Sequence, residues 1–523
     1  MNLILIAGFV VLIIYLLSKY FLTYWKRLNI PQFDGQFFFG NGKKLFTRKV
    51  SFLEFFEDVY EKTRNHRFFG IYMLYKPILI INDPKLVQDI LIRDFSTFHD
   101  RPMVAESAEY CPLMANLFNM EGKKWRELRV RISPAFTAGK LRNMIPIQKT
   151  STEVLLKFIR KNIKNGENVF DFKDTLARYI LSTISSVGFG IDNDCINEPD
   201  NMFRKISLMV FELSMSNGIK NFLMFFLPDL FTFLKLNPFT PEVSPYIVSM
   251  VEQTIAHREK NNYQRNDFMD LLIRLRNVGY LPADKDDEVE DEWTRKQTDV
   301  DRMKKISMDE VIGQSFVFTI GGFETISSCM HFCLFELSRN SQAKQKLQQE
   351  IDHVLDSRES DEITYDALLD MKYLDCCINE TLRKYPLGGL LNRVNSKDYK
   401  IPDSNVTIPK GTSIFIPFFG LQRDPQYYDE PMKFIPERFE GSVNGNAKID
   451  EGVVYAPFGD GPRHCIGMRM ARIQMKFGLA TLLRNFKFEL QDKFMMNEEI
   501  KFNPKFLVLT PMKPILMNIS ERK

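Results

Sequence analysis

Residues 458–467 read FGDGPRHCIG, and a helical pattern, MRMARIQMKFGLATLLRNF, follows them directly. Glycines in such a loop allow tight turns that bring backbone N–H groups toward the sulfur of Cys465. The neighbouring Arg463 and the amino end of the helix both favour the thiolate, which is the form of cysteine that binds metals. The stretch therefore predicts a metal–thiolate loop at the entrance to a helix.

Two other kinds of site could use such a loop. The GDG triplet could cradle a phosphate, but the rest of a nucleotide-binding pattern is missing around it. His464 and Cys465 could begin a zinc site, but the six histidines of the chain include no partners at a suitable spacing. A haem iron bound by the thiolate, with one axial position left open, fits the loop best.

Composition limits the class of protein. The 523 residues include 70 Lys+Arg and 66 Asp+Glu, a net charge of +4 that lacks the basic excess of nucleic-acid-binding proteins. The 46 phenylalanines favour large buried surfaces and roomy apolar pockets. The seven cysteines are too scattered for a disulfide-stapled domain, so a reducing compartment is expected. Apart from Cys465, we expect the cysteines to pack in the core.

The amino terminus predicts a membrane anchor. Residues 3–17, LILIAGFVVLIIYLL, carry no charge, and with the following segment they can cross a bilayer if Lys19 reaches the interface. A cleaved signal peptide would show a positive residue before the apolar run and a small-residue cleavage site after it, and neither is present. We therefore expect an anchor over 1–27, a linker over 28–50 and a cytosolic domain over 51–523. The expected interfacial residues are Tyr20, Tyr24, Trp25, Lys26 and Arg27.

The rest of the chain is mainly helical in pattern. Strand-like runs occur within 70–81, at 406–419 and within 506–519. These elements predict a mainly α fold with a small, segregated β part. The charged stretch 283–302 is typical of a solvated loop. The aromatic-rich segment 201–241 lacks an uncharged block of spanning length, so its helices should surround a pocket or rest on a membrane surface.

A long helix is predicted to begin near Ser307, where Glu310 completes a capping box. Apolar residues cover almost all of its faces, so the helix should cross the interior. Adjacent glycines in mid-helix, Gly321 and Gly322, cost about 1 kcal/mol each relative to alanine. This unfavourable helix propensity suggests that another group approaches the helix closely at the two glycines.

Two interpretations of the segment GGFET, residues 321–325, stay open. Thr325 could donate to the carbonyl four residues earlier and leave only a kinked helix. Alternatively, the helix widens into a groove for a small ligand, where Thr325 and Glu324 manage protons. Burying either polar group without a partner would be unfavourable.

A second motif predicts a network of charges. Glu380 and Arg383 in ETLRKYP lie on one helix face and can form an ion pair. PERF at 436–439 supplies another arginine, Arg438. If the three side chains are buried together, each charge needs its partners.

Other cations are set among apolar residues. Trp125 and Arg129 in WRELR are four residues apart on a predicted helix, and Arg393 lies in LLNRV. Several cations that converge on one site would suit an acidic ligand. A cation–π pair between Trp125 and Arg129 at the surface is the simpler alternative.

The motifs occur in a familiar order: membrane anchor, WRELR, GGFET, ETLR, PERF and FGDGPRHCIG. In this order and over the whole chain, the sequence resembles the cytochrome P450 family. The stretches GGFET, RNDFMDLL and SPAFTAGKL are most similar to the microsomal clan, which includes insect detoxification enzymes and related vertebrate drug-metabolising members.

The resemblance implies roles for the residues singled out above. Cys465 would be the axial ligand of haem b, with Phe458 packed on the loop to shield the sulfur. Thr325, with Glu324, would deliver protons to bound dioxygen. The haem propionates would be held by Trp125, Arg129, Arg393, Arg463 and Arg101.

The resemblance also implies a supporting network and a substrate pocket, with departures from the family pattern. Gly321 stands where alanine is common, and PLGGLL at 386–391 lacks the usual second proline, so the substrates of relatives do not transfer safely. The triad supporting the haem pocket would be Glu380, Arg383 and Arg438. The apolar floor of the pocket would include Phe118, Val317, Ile320 and Leu390.

The implied function is a monooxygenase of the endoplasmic reticulum membrane that inserts one atom of O2 into lipophilic substrates. These would be xenobiotics, such as plant toxins or insecticides, or endogenous lipids and hormones. Electrons would come from NADPH through a separate reductase, because the chain has no dinucleotide or flavin fingerprint, and cytochrome b5 is a second candidate donor. Alternatives are a reductase-independent haem-thiolate isomerase or dehydratase, which would tend to lack Thr325, and a non-catalytic haem-binding sensor.

Overall fold

The computed structural model of the chain describes residues 2–102, 105–211, 215–281, 304–358 and 362–522. Helices make up most of it, and the strands form small sheets. The predicted mainly α fold with a segregated β part is therefore confirmed. The predicted solvated loop, 283–302, lies outside the described residues.

α-Helices run through the whole chain. The first half contains α1 (Asn2–Phe21), α2 (Tyr24–Arg27), α3 (Lys43–Phe46), α4 (Phe52–Thr63), α5 (Pro84–Gln88), α6 (Gly122–Ile132), α7 (Ala138–Lys164), α8 (Phe172–Ile184), α9 (Met202–Phe211), α10 (Met215–Phe226), α11 (Pro228–Phe233), α12 (Val243–Asn261) and α13 (Phe268–Asn277). The second half contains α14 (Met308–Arg339), α15 (Ser341–Asp356), α16 (Tyr365–Asp370), α17 (Lys372–Lys384), α18 (Phe418–Leu421) and α19 (Met468–Asn485).

The strands pair into small sheets. They are β1 (Phe68–Met73), β2 (Lys76–Ile81), β3 (Val169–Asp171), β4 (Leu391–Val394), β5 (Tyr399–Lys400), β6 (Thr407–Ile408), β7 (Ser413–Ile416), β8 (Phe486–Leu490) and β9 (Leu516–Glu521). One sheet has the order β1-β2-β7-β4, a second the order β3-β9-β8, and β5 pairs with β6. In the first sheet β7 pairs antiparallel with β4 and places Arg393 opposite Ile414. The strand expected within 506–511 is absent, because backbone pairing there is limited to a bridge between Phe502 and Pro511.

α14 is the central helix. Its predicted capping box at Ser307 and Glu310 is present, with both reciprocal hydrogen bonds. Most of its residues are buried, as expected for a helix that crosses the interior. Val317, Gly321 and Thr325 are half-buried or exposed, and their spacing of four residues places them on one face. That face of α14 therefore borders open space.

Two glycines of α14 serve opposite purposes. A Cβ at Gly313 would lie 2.3 Å from the carbonyl oxygen of Ala115, so the loop can approach only because the side chain is absent. A Cβ at Gly321 would meet nothing within 4 Å. The close approach expected at the glycine pair is therefore found at Gly322, where a Cβ would lie 2.7 Å from Ile184 Cδ1, and not at Gly321, which widens the open face.

We expect Gly321→Ala to raise the free energy of unfolding by about 0.5–1 kcal/mol, because alanine is the better helix former and its methyl group fits without contact. Gly313→Ala should lower it by about 1–3 kcal/mol through overpacking against backbone. Urea unfolding of the two variants measures both values, with the dependence of the free energy of unfolding on urea concentration taken as equal in the two fits. Equal effects at the two positions would contradict this difference in packing.

A buried ion-pair network joins α17 to the turn Pro436–Phe439. Arg383 donates to both carboxylate oxygens of Glu380, at 2.7 and 2.9 Å, and Arg438 Nε donates to the same carboxylate at 3.4 Å. Glu380 and Arg383 are both 0% exposed. Removing one member would leave an unpaired buried charge, which costs about 3–5 kcal/mol. The three residues predicted as a triad thus lie together.

Gln422 connects this network to the cysteine loop. Its main-chain carbonyl accepts a hydrogen bond from Arg383 Nη1 at 2.8 Å. Its side-chain Oε1 accepts one from the backbone N–H of Ala456 at 3.3 Å, two residues before Phe458. Because Gln422 is itself fully buried, it holds the network and the loop in one rigid unit.

The segment after the predicted anchor packs on the folded body. Trp25 is 0% exposed, and its indole Nε1 donates to the carbonyl of Ile71 in β1 at 3.1 Å. Its assignment to an interfacial aromatic belt is therefore wrong, because β1 covers the ring. Residues 28–50 also contact β1, where the N–H of Gly70 donates to the carbonyl of Pro31 at 2.8 Å.

Within the described residues, α14 is the helix that is long and apolar enough to span a membrane, and 67% of its apolar window is buried. It is therefore a core helix. α1 covers most of the predicted anchor, and its described apolar side chains are exposed, with Leu16 at 54%. The apolar stretch found within it, Leu12–Phe21, is shorter than a span. The anchor over 1–27 stays a prediction.

Candidate active site

Cys465 is exposed, whereas the other six cysteines are buried. Its backbone N–H donates to the carbonyl of Phe458 at 2.8 Å, which closes the loop on itself. α19 begins three residues later, with Gly467 as its N-cap. The fold therefore presents one thiol at the amino end of a long helix, where the helix dipole favours negative charge.

The loop needs glycine at two of its three glycine positions because of its backbone conformation. Gly459 and Gly461 have φ values of +74° and +66°, in the left-handed region. At Gly461 a Cβ would also lie 1.9 Å from the carbonyl oxygen of Leu91. Any larger residue there would force the loop away from the segment beneath it.

Opposing effects act on the sulfur. Burial of the surrounding loop raises the pKa of Cys465, and the N–H of Gly467 and the positive charges of Arg129 and Arg101 lower it. Burial is the larger effect, so the protein alone does not keep Cys465 in its thiolate form. A bound metal cation would, because coordination deprotonates a thiol.

Arg463 is buried beside the thiol at 4% exposure. Its Nε donates to the carbonyl of His99 at 2.6 Å, its Nη2 donates to that of Met120 at 2.7 Å, and Nη2 lies 3.3 Å from Asp100 Oδ1. Its Nη1 has no hydrogen-bond partner among the described residues. Burial, together with repulsion from two other arginines, lowers the pKa of Arg463 to about 8.

Arg393 and Arg101 supply that repulsion. Arg393 is 1% exposed on β4, and its Nε is unpartnered among the described residues. Burial and the charge of Arg101 lower the pKa of Arg393 to about 9. Arg101 donates to the carbonyl of Phe118 at 3.1 Å, and burial lowers its pKa to about 10.

Trp125 and Arg129 are both buried near the loop. Trp125 is 3% exposed, and the guanidinium over its ring is that of Arg463, at 4.1 Å. Arg129 instead donates to the carbonyl of His464 at 3.1 Å. The alternative of a surface pair between Trp125 and Arg129 is therefore wrong, because α6 is buried along this face.

The acid and the alcohol of α14 point to different neighbours. Thr325 Oγ1 donates to the Gly321 carbonyl at 2.5 Å, as its spacing predicted, and lies on the open face. Glu324 is 5% exposed, and its Oε1 accepts from Lys173 Nζ of α8 at 2.7 Å. The sequence did not indicate Lys173, because no local pattern relates two residues 151 positions apart.

The loop around residue 117 links the arginine side to α14. Gln314 Nε2 donates to the Ala115 carbonyl at 3.1 Å, and its Oε1 accepts from Leu117 N at 3.4 Å. Phe118, next along, is 45% exposed, and the guanidinium of Arg101 lies 4.3 Å from its ring centre. Of the other apolar residues predicted to line the pocket, each is half-buried: Val317, Ile320 and Leu390.

Comparison with known proteins agrees with this arrangement. The family model described as Cytochrome P450 matches residues 31–519. Cytochrome P450 6d3 of Musca domestica is 36% identical over 516 residues, which cover 97% of each chain. "Probable cytochrome P450 6d5" of Drosophila melanogaster is 34% identical over 520 residues, 99% of each chain. Cytochrome P450 6A1 of Musca domestica is 34% identical over 500 residues, 95% of this chain and 93% of its own.

The chain belongs to the cytochrome P450 family. As a cytochrome P450 of the insect detoxification type it is a haem-thiolate monooxygenase that uses haem b and O2, with electrons from NADPH through a reductase, and acts on lipophilic substrates. The alternatives of an isomerase and of a sensor are not favoured.

The residues near Cys465 fit the haem of a cytochrome P450. Arg463 and Arg393 each keep a buried N–H without a partner among the described residues, and the arginines repel one another. Two propionate groups would satisfy those donors and neutralise the charge, since guanidinium and carboxylate bond strongly. The exposed thiol supplies the soft ligand that iron in such sites takes.

Arg463→Gln should weaken the hold of this cytochrome P450 on its haem. The variant removes the charge but keeps an amide, and a charge-assisted hydrogen bond of about 1.5–3 kcal/mol corresponds to about 10- to 100-fold in dissociation. Transfer of haem to an excess of acceptor protein measures the rate. Arg142→Gln, at a surface ion pair with Asp366, is the control and should leave the rate unchanged. Equal rates in both variants would contradict a role for Arg463.

Proposed function

We propose that this cytochrome P450 binds its haem iron through Cys465 and oxidises bulky lipophilic compounds, either xenobiotics such as plant toxins or insecticides, or endogenous lipids and hormones. The observation that carries the proposal is the exposed thiol just before α19, near buried arginines whose N–H groups include two without a partner in the described part of the chain. When bound, the haem supplies dioxygen activation, which an electron-rich thiolate ligand favours.

The residues around Cys465 would hold this group and tune its ligand. Gly467 N–H and Arg129 stabilise negative charge on the sulfur. Arg393, Arg463 and Arg101 would bind the propionates, and pairing would offset the burial and the mutual repulsion that lower their pKa values. Phe458, half-buried beside the loop, would limit the access of water to the sulfur.

Thr325 and Glu324 would manage protons on α14. The hydroxyl hydrogen of Thr325 is donated to Gly321, so its oxygen can accept a hydrogen bond on the open face. Glu324 lies next to it in the chain and carries an exchangeable proton site. A general acid placed in this way contributes about 10²–10⁴ in rate.

The substrate would lie against apolar side chains. Phe118, Val317 and Ile320 face open space or are only half-buried, and Gly321 adds room where a side chain would narrow the groove. Leu390 would close the other side. Burying apolar surface yields about 25 cal/mol per Å², so a wide apolar face favours bulky lipophilic compounds.

Exposed apolar side chains support attachment to the endoplasmic reticulum membrane. Phe38 and Phe233 are 58% and 82% exposed, beyond the exposed face of α1. Large apolar side chains exposed in this way are typical of a membrane or protein contact. We therefore propose a single anchor over 1–27 with the catalytic domain on the cytosolic side, and cytochrome b5 as a second electron donor beside the reductase.

The reduced protein with carbon monoxide should show the red-shifted Soret band of a haem-thiolate complex. Cys465→Ala should lose this band completely, because no other described cysteine is exposed. Cys376→Ala, which removes a buried thiol, is the matched control and should keep it. A band that persists in Cys465→Ala would overturn the ligand assignment.

Thr325→Ala should raise the share of NADPH consumption that ends in hydrogen peroxide and lower product yield at least about 10-fold, because a positioned proton carrier is lost. Thr325→Ser keeps the hydroxyl and should restore most of the yield. Product, NADPH and peroxide are measured together with added reductase. An unchanged ratio of peroxide to product in the alanine variant would count against the proton role.

A further inference from the structure

A row of buried polar side chains lies on one face of α14, away from its open face. Glu324, Ser327, Ser328 and His331 follow one another at intervals of three, one and three residues, which places them on adjacent turns of the same side. They are 5%, 0%, 0% and 0% exposed. A helix of the apolar core would not place four polar residues together there without partners.

α8 covers this row. The two helices run antiparallel: Lys173 of α8 reaches Ser327, while a Cβ at Gly322 would lie 2.7 Å from Ile184 Cδ1. Lys173 Nζ donates to Glu324 Oε1 at 2.7 Å and to Ser327 Oγ at 3.2 Å. One ammonium therefore fixes the acid and the next hydroxyl of the row.

The far end of the row is short of partners. Among the described residues, Ser328 Oγ and both ring nitrogens of His331 lie buried without a hydrogen bond. Burial and the charge of Lys173 lower the pKa of His331 to about 3, so its imidazole is neutral at pH 7. A neutral imidazole has one donor and one acceptor. Buried polar groups of this kind are ordinarily satisfied by ordered water.

We propose that Glu324, Lys173, Ser327, Ser328 and His331 form a hydrated polar column that feeds protons to Glu324 from the side of α8. This inference rests on the proposed proton role of Glu324. The proton comes from bulk water and passes along bound water and hydroxyl groups to the carboxylate, which then releases one toward Thr325. No covalent bond to carbon changes, and each relay group returns to its starting charge.

The residues of the column have different roles. Lys173 is a positioning residue, because it orients Oε1 of Glu324; among the described residues Oε2 accepts no hydrogen bond and stays available to a proton. His331 can take a proton at one nitrogen and release one from the other, which lets it connect water molecules on its two sides. Ser327 and Ser328 would connect His331 to Glu324 across the helical turn that separates them.

His331→Leu, of similar size and without polar atoms, tests the column in the reductase-coupled holoenzyme. We expect about 10-fold less product per NADPH consumed, with a matching rise in hydrogen peroxide and a larger solvent deuterium isotope effect on product formation. His331→Gln keeps a donor and an acceptor and should restore most of the yield. Thr319→Val is the matched control, since among the described residues that buried hydroxyl donates only to the carbonyl of Ser315 in its own helix.

A second readout does not depend on turnover. Infrared difference spectra of the protein against Glu324→Gln assign the carboxylate band of Glu324. That band should shift in Lys173→Met, where the carboxylate loses its hydrogen-bond donor, and stay in place in Lys173→Arg. His331→Leu should leave the urea midpoint unchanged or lower it, because its water partners are lost.

Three results would overturn the column. The first is an unchanged yield of product per NADPH and an unchanged isotope effect in His331→Leu. The second is a higher urea midpoint in that variant, which would mean that a dry and unsatisfied imidazole had been removed. The third is an unshifted Glu324 band in Lys173→Met. The haem-thiolate band with carbon monoxide should stay intact in all these variants. If only the column is wrong, the haem-thiolate band with carbon monoxide is still present in these variants. If the proposed function is wrong, that band does not depend on Cys465.

Discussion

A concentration of buried positive charge beside one exposed thiol is the constraint on which the rest of the structure depends. Arg101, Arg129, Arg393 and Arg463 come from separate segments of the chain and are brought close to Cys465 against their own repulsion. Only a rigid framework can hold such an arrangement. The ion-pair network of Glu380, tied to the cysteine loop through Gln422, is part of that framework. The haem of the family would resolve this conflict, because its carboxylates would neutralise the arginines and its iron would neutralise the sulfur.

α14 organises the opposite side through the geometry of a single helix. With about 100° between successive residues, Gly313 accommodates a loop, Gly321 and Thr325 border open space, and Glu324 turns toward α8. The acid and the alcohol are neighbours in sequence but lie in different surroundings. That separation lets one residue contact the open face while the other is held by a buried ammonium.

Much of the fold could be read from local patterns, and the errors share one cause. The capping box at Ser307 and the helix after Cys465 depend on residues a few positions apart, and both are present. Trp25 was expected at a membrane surface and lies under β1, and 506–511 was expected to be a strand and has no partner strand. Whether an apolar run is buried, exposed or paired depends on segments far away in the chain, which no local pattern contains.

By itself, the sequence determined the family, the loop that presents Cys465, the open central helix and the identity of most charged groups, because these are properties of short motifs with fixed spacing. The tertiary structure alone decided which charges meet. It placed the guanidinium of Arg463 over Trp125, joined Lys173 to Glu324, and left His331 buried without a protein partner among the described residues. Such pairings join residues up to several hundred positions apart, and electrostatic energy depends on their separation in space rather than in sequence.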